Sequence, residues 1–264
     1  MDEANEWLMG NADKPARRSA PAMAGLATEI AGRVKELFYA YDNRKSADNR
    51  SAQAHLGPSE IGTPCDRRIA MSLMQVPPVN PGGDGWAAFV GTCIHAGLAD
   101  MFRWADHGTG RYATEMPLTL PSVTVPKGTG DLLDRTMLLF ADHKCMGNSS
   151  LSKLRLDGPS NTYRVQVHTY AYAAIRDGEH VEHVAIVAWP REASSLKGLH
   201  VWTEPYDESI ALAALARAED IAARAHHLGR DGNPRRFDAF TTADDCRFCP
   251  FKTNTAKGCK GHAQ

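Results

Sequence analysis

The sequence predicts an α/β fold, with a mixed central sheet and helices on both faces. Short apolar runs of strand length, at 137–141 and 181–189, alternate with longer segments of helical periodicity at 86–105, 160–177 and 207–228. The run at 137–141 leads directly into Asp142-His143-Lys144, so an apolar strand ends in charge. At 264 residues and 43% hydrophobic content, the chain can bury a substantial core. The expected organisation is a lead-in and helix over 1–54, a core over 55–240 and a cysteine-bearing tail over 241–264.

Composition narrows the function classes. Lys+Arg 30 against Asp+Glu 31 leaves a net charge of −1, so no global basic field draws polyanions, and binding one requires local patches and metal ions. No stretch reads as membrane-spanning, and the acidic start with Asp2, Glu3 and Glu6 lacks signal-peptide order. A cytoplasmic protein is expected. In that reducing compartment, six cysteines point to metal ligands or buried thiols rather than disulfides.

In chain order, residues 1–22 form a lead-in with Pro15 and Pro21, and Leu26, Ile30, Val34, Leu37 and Tyr41 then recur at helical spacing, predicting an amphipathic helix over 24–41. The polar run 42–53 reads as a loop. Pro64 can open a helix that carries Cys65 in its first turn, and 77–85 closes that segment. In the helix predicted over 86–105, Gly91 and His95 share a face, with the glycine expected to admit a neighbouring backbone beside the imidazole. A strand over 112–120 bears Glu115, a candidate outer-shell acid.

Residues 128–144 read as strand, turn and strand. Pairing about a centre between Thr136 and Met137 sets Asp131 opposite Asp142, with Cβ atoms roughly 4.5–5.5 Å apart. Two carboxylates that close repel unless a cation lies between them. Asp142 and Lys144 project to one side of their strand, which puts an ammonium beside the cation. Of the ten lysines, only Lys144 has an acid two positions earlier.

Beyond it, 145–159 reads as a loop rich in Gly, Ser and Asn. A helix capped by Ser160 or Asn161 and stopped by Gly178 places Gln166 and Tyr170 on one face, a pattern that core packing alone also produces. Strands over 181–189 and 199–203 and a helix over 207–228 complete the order.

The tail holds Cys246-Arg247-Phe248-Cys249-Pro250, with Cys259 after nine intervening residues. Such spacing argues for a metal centre. Its fourth ligand comes from Cys65, Cys93, Cys145 or His262.

Taken together, His95, Asp131, Asp142-His143-Lys144, Gln166-Val167-His168-Thr169-Tyr170 and the split cysteines resemble the RecB-like branch of the PD-(D/E)XK nucleases. They are most similar to the iron–sulfur exonucleases of its CRISPR-associated family and their phage relatives. The likeness runs from Cys65 to Cys259. It implies a PD-(D/E)XK core and a Mg²⁺ or Mn²⁺ site formed by His95, Asp131, Asp142 and the main-chain carbonyl of His143. Lys144, Gln166 and Tyr170 join the two aspartates as catalytic residues. Cys65, Cys246, Cys249 and Cys259 would hold a [4Fe-4S] cluster, with zinc the alternative. Two departures stand: Asp replaces the more frequent Glu before the lysine, and the last cysteine spacing is long.

The activity the resemblance implies is a metal-dependent DNA exonuclease acting on single strands with 5′-to-3′ polarity. The alternatives are a structure-specific or prespacer-trimming endonuclease, and a non-catalytic metal-stapled DNA-binding adaptor. Without a Gly-Lys-Ser/Thr phosphate loop the chain carries no ATPase motor. Homo-oligomers or recombination and adaptation proteins are its candidate protein partners.

Overall fold

The computed structural model describes residues 20–50, 55–80, 85–228, 234–243, 246, 249–253 and 259. The chain divides into two compact units, 1–52 and 53–264. Among described residues the first unit is helix α1, Ala20–Arg50. It runs past its expected end, so 42–50 is helix rather than loop. That run contains neither Gly nor Pro, and nothing in it opposes continuation. Ile30, Val34 and Leu37 of its apolar stripe are exposed. The lead-in up to residue 19 lies outside the described residues.

The second unit opens with α2, Pro58–Ile61, one turn that the sequence reading missed. Its signal was present: Pro58 starts the turn, and the backbone N–H of Gly57 donates to Glu60 Oε2 at 2.9 Å. Helix α3, Asp66–Leu73, begins one residue after Cys65, whose Sγ caps it by accepting the Arg68 N–H. Helix α4, Trp86–Asp106, agrees with expectation.

Five strands follow in the spatial order β1 to β5: Tyr112–Thr119, Lys127–Asp134, Leu139–Met146, His183–Pro190 and His200–Pro205. Neighbours are antiparallel except β3 and β4, which run parallel. The parallel pair requires a crossover, supplied by α5, Asn148–Asp157, and α6, Asn161–Arg176. A final long helix, α7, spans Glu208–His226. The result is a mixed sheet between helices. Phe140, Val184 and Ile186 join Val167 and Ala171 of α6 in the large core, whereas Leu132, Ala141 and Ala185 meet Phe102 of α4 on the other face. No helix among the described residues is long and apolar enough to cross a membrane.

Two further sequence expectations are corrected. The loop over 145–159 contains α5, because Leu151 and Leu154 bury one face of a segment whose Asn-Ser-Ser start reads as loop. Burial of that face outweighs weak local propensity. Gly91 does not face another backbone: a Cβ there meets nothing within 4 Å. The close approach occurs instead at Gly62, where a Cβ would lie 2.6 Å from Thr162 Cα. Gly62→Ala should therefore separate α2 from α6 and cost about 1–3 kcal/mol, measured by denaturant unfolding. Stability within experimental scatter of the unmodified chain would refute that contact.

Candidate metal site

The site is built where the β2–β3 hairpin meets α4 and α6. The hairpin pairs Leu132 with Ala141 and Asp134 with Leu139, the register expected from the sequence. The ladder ends at Leu132, and beyond it the Asp131 side chain takes over. The His143 N–H donates to Asp131 Oδ2 at 2.6 Å, while Asp131 Oδ1 lies 3.3 Å from His95 Nδ1 on α4. A side-chain carboxylate thus clips β2 to β3 and contacts the helix across it.

Asp142 and Lys144 lie on one side of β3, with Lys144 Nζ 2.6 Å from Asp142 Oδ2. Lys144 also donates to Gln166 Oε1 at 3.0 Å and sits 4.9 Å from the Tyr163 ring centroid. Gln166 Nε2 in turn donates to the Tyr170 hydroxyl at 3.1 Å. Helix α6 thereby fixes the lysine through a chain of two hydrogen bonds and an aromatic face. Gly128 belongs to the same assembly, since a Cβ there would meet Tyr170 Cε1 at 2.8 Å. We expect Gly128→Ala to displace the Tyr170 ring and weaken the Gln166 contact. An amide and ring NMR comparison would detect this, and unchanged Tyr170 shifts would exclude it.

The electrostatics are those of a site short of positive charge. Burial pushes the Asp142 carboxyl up to about 6, a shift the nearby Asp131 charge adds to and Lys144 opposes. For Asp131, burial acts upward, but the His95 hydrogen bond and charge and the His143 N–H outweigh it and hold the group below its ordinary value. The same hydrogen bond to Asp131 raises His95. Burial also pushes the Tyr170 hydroxyl well above its ordinary value.

His143 lies with its ring stacked on Phe102 at 5.7 Å and edge-on to Trp189. Burial lowers it to about 4, so it is neutral near pH 7. Its imidazole packs while its main chain serves the site.

Among the described residues, ligand atoms of His95, Glu115 and Asp131 lie within 4.8 Å of one another. Asp142, expected as a further ligand, is not part of that cluster: it is 1% exposed and its carboxylate pairs with Lys144. Two carboxylates and an imidazole this close suit a divalent cation with mixed oxygen and nitrogen ligands. An open groove of about 600 Å³ runs from His95 and Glu115 along the small residues Ala88, Gly91 and Ala96 of α4, with Arg103 also in its wall. The sequence reading singled out neither Tyr163 nor Arg103, and tertiary packing alone brings them here.

The four cysteines named from the resemblance are all buried. Cys65 Sγ contacts the Thr241 carbonyl at 3.8 Å, and Arg67 Nη1 contacts Cys259 Sγ at 3.6 Å. Burial raises the Cys249 thiol, with Cys65 and Cys246 adding to that shift, so the three lie within electrostatic reach. Further ties hold the tail to α3: the Arg67 N–H donates to the Thr241 carbonyl, and Thr241 Oγ1 donates to Asp66 Oδ2. From α7, Arg217 pairs with Asp66 and donates to the Ile61 and Thr63 carbonyls. Cys93 is exposed on α4, Cys145 is half-buried on β3, and His262 lies outside the described residues.

No protein-family model matches this chain, and no curated protein does. Among solved structures it is similar to the crystal structure of SSO0001 at 15% identity, with a TM-score of 0.42, over 71% of this chain and 84% of that one. A likeness of that degree bears on neither activity nor ligands.

Proposed function

We propose that this protein is a metal-dependent nuclease of the PD-(D/E)XK type. More particularly, we read it as a DNA exonuclease that acts on single strands and carries a structural [4Fe-4S] cluster. The observation that carries the reading is the convergence of His95, Asp131, Asp142 and Lys144 at the open end of one hairpin, with Gln166 and Tyr170 behind the lysine. Preference for single strands and 5′-to-3′ polarity come from the family resemblance alone.

Phosphodiester hydrolysis needs a neutralised phosphate, an activated water and a stabilised leaving oxygen. Asp131, Asp142, His95 and the main-chain carbonyl of His143 would hold a Mg²⁺ or Mn²⁺, which when bound would supply Lewis acidity. Lys144 donates toward the attacking water and the developing negative charge. Gln166 holds that ammonium through its amide oxygen and is oriented in turn by the Tyr170 hydroxyl. Asp142 and Gln166 each take one of the three ammonium N–H donors, which leaves the third for the water.

Arg103 gives the groove a cation for substrate phosphate, offset by its own contact with Asp100 at 3.9 Å. Arg103→Ala should raise KM severalfold and flatten the salt dependence of binding, with kcat within about twofold. An unchanged KM across salt concentrations would remove the groove from the DNA path.

The deciding assay compares end-labelled and circular single-stranded DNA, with Mn²⁺ or EDTA, on anaerobically purified protein. Degradation of the linear strand alone supports the exonuclease. Cutting of circles favours the endonuclease, and binding without Mn²⁺-dependent cutting in both Asp142→Ala and the unmodified protein favours the adaptor.

A further inference from the structure

Glu115 has a backbone φ of +51 within β1, a left-handed conformation that side-chain-bearing residues seldom adopt and that costs about 1–3 kcal/mol. The β1–β2 ladder pairs Thr114 with Leu132 and Met116 with Gly130, passing over Glu115. The strand therefore keeps its register on both sides of one twisted residue. The twist also reverses side-chain alternation. Ala113 and Met116 both pack against the large core, although three positions apart on a regular strand they would face opposite sides. Without the twist, Glu115 would share the face of Ala113 and point into that core. With it, Glu115 is exposed, lines the groove beside His95, and has its carboxylate within 4.8 Å of ligand atoms of His95 and Asp131.

We propose that Glu115 is a direct ligand of the divalent cation, on the groove side, and that the strained twist in β1 exists to deliver it there. His95, Glu115 and Asp131, whose ligand atoms lie within 4.8 Å of one another, would then share the cation. The inference rests on the metal-site reading above, and it adds a ligand that the acid-x-lysine motif does not contain. Strain of this kind persists only where the fold over-determines it, and here the β1–β2 ladder holds its register on both sides of Glu115.

The test measures Mn²⁺ binding without DNA, by calorimetry and by loss of the free-ion electron paramagnetic resonance signal, together with melting in EDTA. Glu115→Gln keeps the size but replaces one carboxylate oxygen with an amide donor and removes the charge, and its Mn²⁺ affinity should fall at least tenfold. Glu115→Gly removes both carboxylate and strain. It should lose affinity to the same degree while melting about 2–4 °C higher in EDTA. Asp131→Ala, losing affinity further, serves as the control for the site itself. Affinity within twofold of the unmodified protein in Glu115→Gln, with Asp131→Ala impaired, overturns the Glu115 assignment and leaves the metal site standing. A lower melting temperature in Glu115→Gly also overturns it, because the twist would then serve packing. Absence of Mn²⁺ binding to the unmodified protein removes the metal-site reading and this inference with it.

Discussion

Alanine at Lys144, Asp131 or Asp142 is expected to reduce DNA cleavage by roughly 10²–10³-fold or more, and any two of these changes together should cost scarcely more than one. Non-additivity follows from the geometry. Asp131 is tied to β3 through the His143 N–H, Asp142 holds the Lys144 ammonium at 2.6 Å, and Gln166 holds it from the other side. Removing one member therefore leaves the others without the partner that orients them. Folding should be affected unequally. Lys144→Ala leaves Asp142 buried without its cation, a cost that Lys144→Met with Asp142→Asn should largely relieve by removing both charges. Single-turnover cleavage beside circular dichroism separates the two effects. Cutting at the unmodified rate by Lys144→Ala would falsify the assignment. His95→Ala should act differently, weakening metal affinity so that high Mn²⁺ restores part of the rate.

The second large effect is expected at Cys65. If it shares a cluster with Cys246, Cys249 and Cys259, the ligation closes a loop of well over a hundred residues around the sheet. By the chain-entropy estimate for so long a loop, the cross-link is worth about 4–5 kcal/mol, or on the order of 10 °C in melting temperature. Freshly prepared anaerobic protein should be brown if iron is bound and colourless if the ion is zinc. We expect brown, and a structural role, since hydrolysis moves no electrons. Cys65→Ala and Cys249→Ala should both lose iron, melt earlier and bind DNA poorly, whereas Cys93→Ala, altering an exposed thiol on α4, should keep its colour. Full metal content and full stability in Cys65→Ala would mean that the fourth ligand lies elsewhere. The contacts of Arg67 with Cys259 and of Asp66 with Thr241 would then hold the tail unaided.

Wherever a pattern of short range specified the outcome, the sequence by itself determined it. The hairpin register could be read because apolar alternation and a turn at Arg135-Thr136 leave one pairing that keeps each side chain on its proper face. Helix α6 was legible from Ser160 to Gly178, whose φ of +99 matches the stop expected of a glycine. The spacing of Gln166 and Tyr170 followed from the helical repeat. Helix α5 was not legible, because its Asn-Ser-Ser start favours a loop and only Leu151 and Leu154 against the sheet repay the helix.

Tertiary structure alone decided how the site was completed. Nothing local marks Glu115 for a left-handed conformation. That state is unfavourable for its residue type, and the paired strand on either side holds it there. The same holds for Tyr163 against Lys144, set by β3 and α6, and for Cys65 within electrostatic reach of Cys249, set by the contacts of α3 with α7 and the tail. Sequence periodicity encodes which face of an element is apolar. The meeting of particular atoms from separate elements depends on packing, which no single segment contains.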